Sequence, residues 1–131
     1  MSRVFIDTTT ISATSPATVT ITPQQSGSTF IINKATVLVN LPSPTIAGLK
    51  FRFYNNNAVS VLVEIFSIAG TGTMDGMWTQ LSGAKTLSNA FTQEIDFTAT
   101  SIRGDYVDCI SDGTFWRVEG QTGVAGGFQF N

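Results

Sequence analysis

The sequence predicts an all-β domain, an antiparallel β-sandwich or barrel of jelly-roll type with about eight to ten short strands and no substantial helix. Apolar and polar residues alternate with a period of two in several segments, and the period of an amphipathic helix is almost absent. Charged residues make up only 12% of the chain, which is about half the usual share. Threonine and serine take their place, and threonine suits a pleated sheet better than a helix surface.

The expected strands follow one another along the chain with turn-rich stretches between them. Those that alternate have one face toward a core and one toward solvent or a partner, and they cover residues 18–22, 36–42, 50–54 and 91–98. Residues 29–33 and 59–68 are apolar on both faces, as expected of strands between layers or beneath a neighbouring subunit. The sequence shows no repeat.

The chain is expected to form one domain, because 131 residues are enough for one core and no linker divides them. We place the β-sandwich at residues 18–122. Residues 1–17 are expected to be an N-terminal arm or first strand, and residues 123–131 a glycine-rich C-terminal arm.

The strongest local signal is a hairpin around Asp112-Gly113, the preferred pair for a two-residue type I′ turn. Folding about this pair places Trp116 on the core face and sets Asp108 opposite Arg117. An opposite-charge pair directly across the ladder supports that register.

Composition argues against a catalytic centre or a cofactor. The chain has no histidine, which removes the usual general base, the usual zinc ligand and every histidine-activated nucleophile. Cys109 falls in a predicted core strand, where a small buried hydrophobe is the expected role. Glu94 and Asp96 project on the same side of a strand, at a spacing that glycosidases use, but a solvated strand face is the favoured interpretation. We therefore expect a protein that is not an enzyme.

Residue spacing, charge and hydropathy argue against a metal site, a nucleic-acid interface and a membrane segment. The three aspartates Asp105, Asp108 and Asp112 lack the ligand spacing of a calcium loop, so no metal is expected. A net charge of −2 with scattered basic residues provides no footprint for nucleic acid. No apolar run has the length of a membrane helix or the form of a signal peptide. The single cysteine fits folding in a reducing cytoplasm.

A glycine-rich stretch at residues 69–83 carries large apolar side chains at Met74, Met77 and Trp78. A loop runs over the surface, so these residues either fold back as a plug or contact another molecule. Tryptophan and methionine are enriched in interface cores, and both alternatives stay open.

Both termini carry aromatic residues that are candidate anchors. Phe5 lies in an apolar trio near the start of the chain, and Phe128 and Phe130 end the glycine-rich tail. A tail of this composition frays by itself. We expect it to need a partner surface, such as the open edge of a neighbouring sheet.

Residues 27–54 resemble a module of tailed-bacteriophage and other virion proteins. The motifs are a Gly-Ser-Thr-Phe strand at 27–30, an alternating strand that ends in Leu41-Pro42, and a Gly-Leu-x-Phe-x-Phe strand at 48–53. The segment 111–116 is similar to the terminal hairpin of the same group. The resemblance implies a β-sandwich or barrel of head decoration proteins, spikes and fibre domains, often trimeric and without catalytic residues.

We therefore expect a structural virion protein, first of all a capsid decoration (cement) protein. It would assemble in the host cytoplasm and bind the major capsid protein, or another virion protein, at the virion surface as a homotrimer. The alternative is a spike or tail-fibre head that binds a host receptor or glycan, with Trp78 or Tyr54 stacking on sugar.

Overall fold

The structure, a computed structural model, describes residues 7–57, 61–70, 72–88 and 92–131. Of these described residues, 51% lie in strands and 3% are helical, and the helical part is a short 3-10 turn at Pro23–Gln25. The strands of the described residues are β1 (Thr8–Ile11), β2 (Thr18–Thr20), β3 (Thr29–Ile32), β4 (Thr36–Leu41), β5 (Lys50–Asn55), β6 (Leu62–Ser67), β7 (Met74–Gln80), β8 (Lys85–Leu87), β9 (Glu94–Phe97), β10 (Tyr106–Ser111), β11 (Trp116–Thr122) and β12 (Phe128–Phe130).

Two mixed sheets pack together, so the all-β sandwich is confirmed and the closed barrel is not the architecture. The larger sheet has the strand order β1-β3-β5-β10-β11-β7-β8, and the smaller one β12-β9-β6-β4-β2. Apolar residues of the alternating strands fill the space between the sheets. In the described part of the chain, the largest fully buried side chains are Trp116, Phe30, Phe51, Phe53, Phe97, Ile21, Ile32, Leu41, Ile65, Met74, Ile95 and Val37.

The first six strands form a parallel stack that the sequence analysis did not predict. β1, β3 and β5 pair in parallel in the larger sheet, and β2, β4 and β6 do so in the smaller one. The chain thus crosses from sheet to sheet and back in three rungs: β1 with β2, β3 with β4, and β5 with β6. The expectation of antiparallel pairing throughout is wrong for this half, because alternation specifies a face and not the direction of the neighbour.

Asparagines at the corners tie successive rungs together. Asn56 donates a hydrogen bond of 2.7 Å from its side-chain amide to Asn33 Oδ1 on the rung before. The Asn57 amide donates to two backbone carbonyls of that same rung, those of Ile32 and Lys34. The backbone carbonyls of Ile32 and Lys34 at this corner thereby have hydrogen-bond donors.

The β10–β11 hairpin has the predicted core face but a different register. Ser111 lies opposite Trp116, so the connection is a four-residue loop and not a two-residue turn. Asp112 Oδ1 accepts hydrogen bonds from the backbone N–H groups of Thr114 and Phe115, which holds the wider loop, and Gly113 supplies its positive φ of 96°.

The predicted pair of Asp108 with Arg117 is therefore wrong. Asp108 lies opposite Glu119, and Ile110 lies opposite Arg117. The shift of two residues leaves every side chain on its expected face, since the side-chain period of a strand is two. Trp116 is fully buried as expected and donates from its indole N–H to the Pro42 carbonyl at 3.0 Å.

About half of the glycine-rich stretch 69–83 is strand β7, which pairs in parallel with β11. Gly76 is required there, because a Cβ at this position would lie 1.9 Å from the backbone oxygen of Val118. The composition that predicts a loop thus reflects the close approach of two strands.

The C-terminal residues also belong to the sandwich. β12 pairs with β9 at the edge of the smaller sheet, and Phe128 packs into the core against Phe97 and Trp78. The tail expected to need a partner surface therefore finds one within its own domain. At the other end of the chain, β1 lies inside the segment predicted as an N-terminal arm or first strand.

Candidate functional site

The predicted interaction residues divide between the core and the surface. Met74 is fully buried and Trp78 is 7% exposed, so for these two the plug interpretation is correct. Phe130 is half-buried and packs on the Trp78 ring at 5.2 Å between centroids. Met77, by contrast, lies on the face of β7 turned away from the core. The prediction for Phe5 falls outside the described residues.

The larger sheet has one side that faces away from the smaller sheet, which we call the outer face. The strand registers align its side chains in three rows that run across the strands. The first row is Lys50, Ile110, Arg117 and Asp75; the second is Arg52, Asp108, Glu119, Met77 and Leu87; the third is Tyr54, Tyr106, Gln121, Thr79 and Lys85.

Ion pairs fix several side chains of the outer face. Arg52 binds Asp108 with two hydrogen bonds of 2.7 and 2.8 Å, and this contact raises the pKa of the Arg52 guanidinium. Arg117 bridges Asp75 at 3.0 Å and Asp112 at 2.7 Å. The backbone N–H groups of the hairpin loop, with the Arg117 side chain, lower the pKa of Asp112 to about 2.

A groove of about 650 Å³ runs along the outer face between these pairs. Its lining includes three apolar side chains, those of Met77, Leu87 and Ile110. Among the residues that the structure describes, Lys50 and Glu119 in the same groove carry no ion pair. Within the described part of the chain, the groove thus combines apolar side chains with one cation and one anion that carry no ion pair.

The third row adds an aromatic patch beside the groove. Tyr54 and Tyr106 are direct neighbours across β5 and β10. Arg52 lies over the Tyr106 ring at 4.4 Å from its centroid, and the Tyr106 hydroxyl donates to Gln121 at 2.8 Å. Tyr106 is therefore held in place, and Tyr54 offers the freer ring.

Asp105 serves the fold. It is buried, and its carboxylate accepts hydrogen bonds from Ser101 Oγ, the Ile102 N–H, Thr122 Oγ1 and the Gly123 N–H. Four donors satisfy the charge that burial would otherwise destabilise. Of the three aspartates considered for calcium, Asp105 thus belongs to a buried hydrogen-bond network, Asp108 to an ion pair with Arg52, and Asp112 to the hairpin loop. Over the described part of the chain, no group of three or more metal-ligating side chains could hold an ion.

Glu94 and Asp96 lie on the other side of the molecule, with Glu64 directly opposite Asp96. Burial, with the nearby Glu94 and Glu64, raises the pKa of Asp96 to about 7. A raised pKa is what a proton donor needs. However, Asp96 is only 6% exposed and its Oδ2 accepts a hydrogen bond from the Asn131 amide, so a substrate has no direct access to it.

Two further observations bear on chemistry at the surface. Cys109 is fully buried, and burial raises the pKa of its thiol, so it offers no nucleophile. No helix found in the described ranges is long and apolar enough to span a membrane.

Sequence reasoning missed the outer face as a unit. Arg52, Asp75 and Tyr106 come from three separate strands, and only the strand order brings them together. Alternation did indicate that Arg52 and Tyr106 point away from the core, whereas Asp75 lies in the stretch that was interpreted as a loop. No local signal indicates which of them are neighbours.

Comparison of the chain with models of known protein families and with curated protein sequences finds no match.

Proposed function

We propose that this chain is a structural virion protein, a capsid decoration protein that binds capsomers as an oligomer. The observation that carries the proposal is the groove of the outer face, with its apolar floor and charged margin. Such a surface suits passive docking, because apolar contact supplies affinity while the charges at the margin set orientation.

The exposure of large aliphatic side chains supports docking. In the described residues, Ile110 and Leu87 in the groove are 42% and 60% exposed. Contiguous exposed apolar surface with a polar rim is typical of protein-binding sites. A stable contact buries roughly 800 Å² per partner, and repetition over many sites on a particle makes weak contacts collectively strong.

The resemblance of residues 27–54 to virion modules is the second support. In the structure these residues form β3, β4 and most of β5, so the motifs lie in the parallel stack. Apart from Lys50 on β5, the groove is lined by residues that follow this segment in the chain, and these residues would distinguish one target surface from another.

The test is binding of the purified protein to capsids that lack it. The wild-type protein should bind at a fixed number of copies per capsid, and Ile110→Glu should weaken that binding at least tenfold. Ile102→Glu is the matched control, because Ile102 is 44% exposed but lies outside the groove. No saturable binding, or equal loss in both variants, would contradict the proposal.

A second candidate function, a spike or fibre head that binds a receptor glycan, is favoured by the aromatic patch. Trp78 is buried in the core, so sugar stacking falls to Tyr54 beside Tyr106. Binding to host cells that Tyr54→Ala abolishes and Tyr54→Phe keeps would support this function. Binding to host cells that neither substitution changes would contradict it.

A further inference from the structure

Among the residues that the structure describes, the first rung forms an open end of both sheets at once. β1 is an edge strand of the larger sheet, and β2 is an edge strand of the smaller one. Since the chain passes directly from β1 to β2, the two edges belong to the same end of the stack.

The backbone groups of this end point outward in a regular pattern. Asp7 and Ile11 accept hydrogen bonds from β3 and its flanking residue, so in the alternation of a parallel strand Thr8 and Thr10 face away from the domain. The same holds in β2. Ala17 and Ile21 bond to β4, and Thr18 and Thr20 therefore face away.

The layer between the sheets is only partly covered here, because Ile11 and Ile21 are buried but two other positions are not. Thr9 is in register with the buried Phe30 and points to the same side, yet it is exposed. Val19 is in register with the buried Val39 and is only half-buried. In the second rung, the corresponding residues Phe30 and Val39 are buried.

Neither β1 nor β2 carries a charged residue, although Asp7 directly precedes β1 and Lys34 donates a hydrogen bond to the Ala13 carbonyl between the two strands. Residues 8–33 contain no Asp, Glu, Lys or Arg, although natural edge strands commonly carry a charge that discourages pairing with another chain. The opposite edge of the larger sheet, β8, carries Lys85. An uncharged edge can meet its own copy without repulsion.

We propose that this open end is the interface of a twofold dimer of the chain, in which β1 pairs with β1 and β2 with β2, both antiparallel. Two edges in two layers need a partner that has two strands at the same spacing. A second copy supplies them, whereas a single extended peptide covers only one edge. A twofold axis makes the contact self-complementary.

The outward-facing residues fix the register of the pairing. Thr8 of each copy lies opposite Thr10 of the other, so the two Thr9 residues face each other as a non-hydrogen-bonded pair with Cα atoms about 4.5 Å apart. In the second layer Thr18 lies opposite Thr20, and the two Val19 side chains meet and become buried. The dimer thereby extends both sheets and covers the exposed part of this layer.

Cross-linking tests the register. Thr9→Cys should form a disulfide-linked dimer under mild oxidation, because facing residues at this separation meet the geometry of a disulfide. Thr8→Cys is the matched control on the same strand and should cross-link several-fold more slowly. The native thiol does not interfere, because Cys109 is buried. Equal rates for the two variants would overturn the proposed register.

Sedimentation tests the dimer itself. At tens of micromolar the full chain should have twice its mass of 14.0 kDa, and the double variant Thr10→Pro with Thr20→Pro should be a monomer with an unchanged circular dichroism spectrum. Proline removes only outward N–H groups at these positions. The control Leu87→Pro does the same at the β8 edge and should stay dimeric. A wild-type monomer or trimer, or a folded proline double variant that stays dimeric, would overturn the proposal.

Discussion

Replacement of Asp96 by asparagine should stabilise the protein at neutral and alkaline pH. Asp96 lies on β9 between Glu64 on β6 and Gln129 on β12. Its Oδ2 accepts a hydrogen bond from Asn131, while its Oδ1 has no hydrogen-bond partner in the described part of the chain. Above neutral pH the wild-type protein therefore holds a buried, partly unsatisfied negative charge beside two other carboxylates.

The direction of the pH effect follows from the pKa. The folded-state pKa of Asp96 is raised from 3.8 to about 7, first by burial and then by Glu94 and Glu64. A raised pKa means that the stability from this group is fully present below pH 3.8 and is lost as the pH rises through 7. At about 1.4 kcal/mol per tenfold change in proton affinity, the upper limit of the loss is on the order of 4 kcal/mol. Asparagine carries no charge, so the variant avoids the loss.

The assay is urea unfolding, followed by tryptophan fluorescence, at a series of pH values from 4 to 8. The free energy of unfolding of Asp96→Asn should match that of the wild type near pH 4 and exceed it progressively toward pH 8. Glu119→Gln removes an exposed carboxylate from the outer face and serves as the control, with no such divergence expected. A constant difference between Asp96→Asn and the wild type over this range would refute the reasoning.

Three further predictions concern the hairpin and the core. A double-mutant cycle on Arg52 and Asp108 should give a coupling of about 0.2–1 kcal/mol, whereas Asp108 with Arg117 should give none; coupling in the second pair would contradict the observed register. Trp116→Phe should lower the free energy of unfolding by about 1–3 kcal/mol, because it leaves a buried carbonyl without its donor; denaturation curves identical to the wild type would disprove that role. Cys109 should react with a thiol reagent only in denaturant, and rapid labelling of the native protein would show that it is accessible.

Alternation predicted the faces of the strands, and the structure confirms them where they can be compared. Phe51 and Phe53 are buried while Lys50 and Arg52 are exposed, as a period of two requires. Where alternation gave no strand and hence no face, the segment is rich in glycine. The stretch containing Gly76 was interpreted as a loop because of its glycines. In the structure, Gly76 allows a close contact with β11 that only the tertiary structure shows.

The candidate site was less predictable than the fold. Of the three large apolar residues singled out in this stretch, Met74 and Trp78 are core residues of β7, whereas Met77 is half-buried on the other face of the strand. Large apolar residues in a glycine-rich segment fit both a plug and an interface. Strand pairing decides between them, because it assigns alternate residues to opposite faces.

The sequence by itself determined that this protein is all-β with an alternating core, and that it has no histidine for the common kinds of catalysis. It left the choice between a sandwich and a barrel open, and the packing of the two sheets decided that choice. The tertiary structure alone decided the partners: the parallel rungs, the four-residue hairpin loop, and the pairing of Asp108 with Arg52 in place of Arg117. The physical reason is that a period of two is unchanged by a shift of two residues or by reversal of the neighbouring strand. Faces are therefore encoded locally, whereas neighbours depend on contacts between residues far apart in the chain.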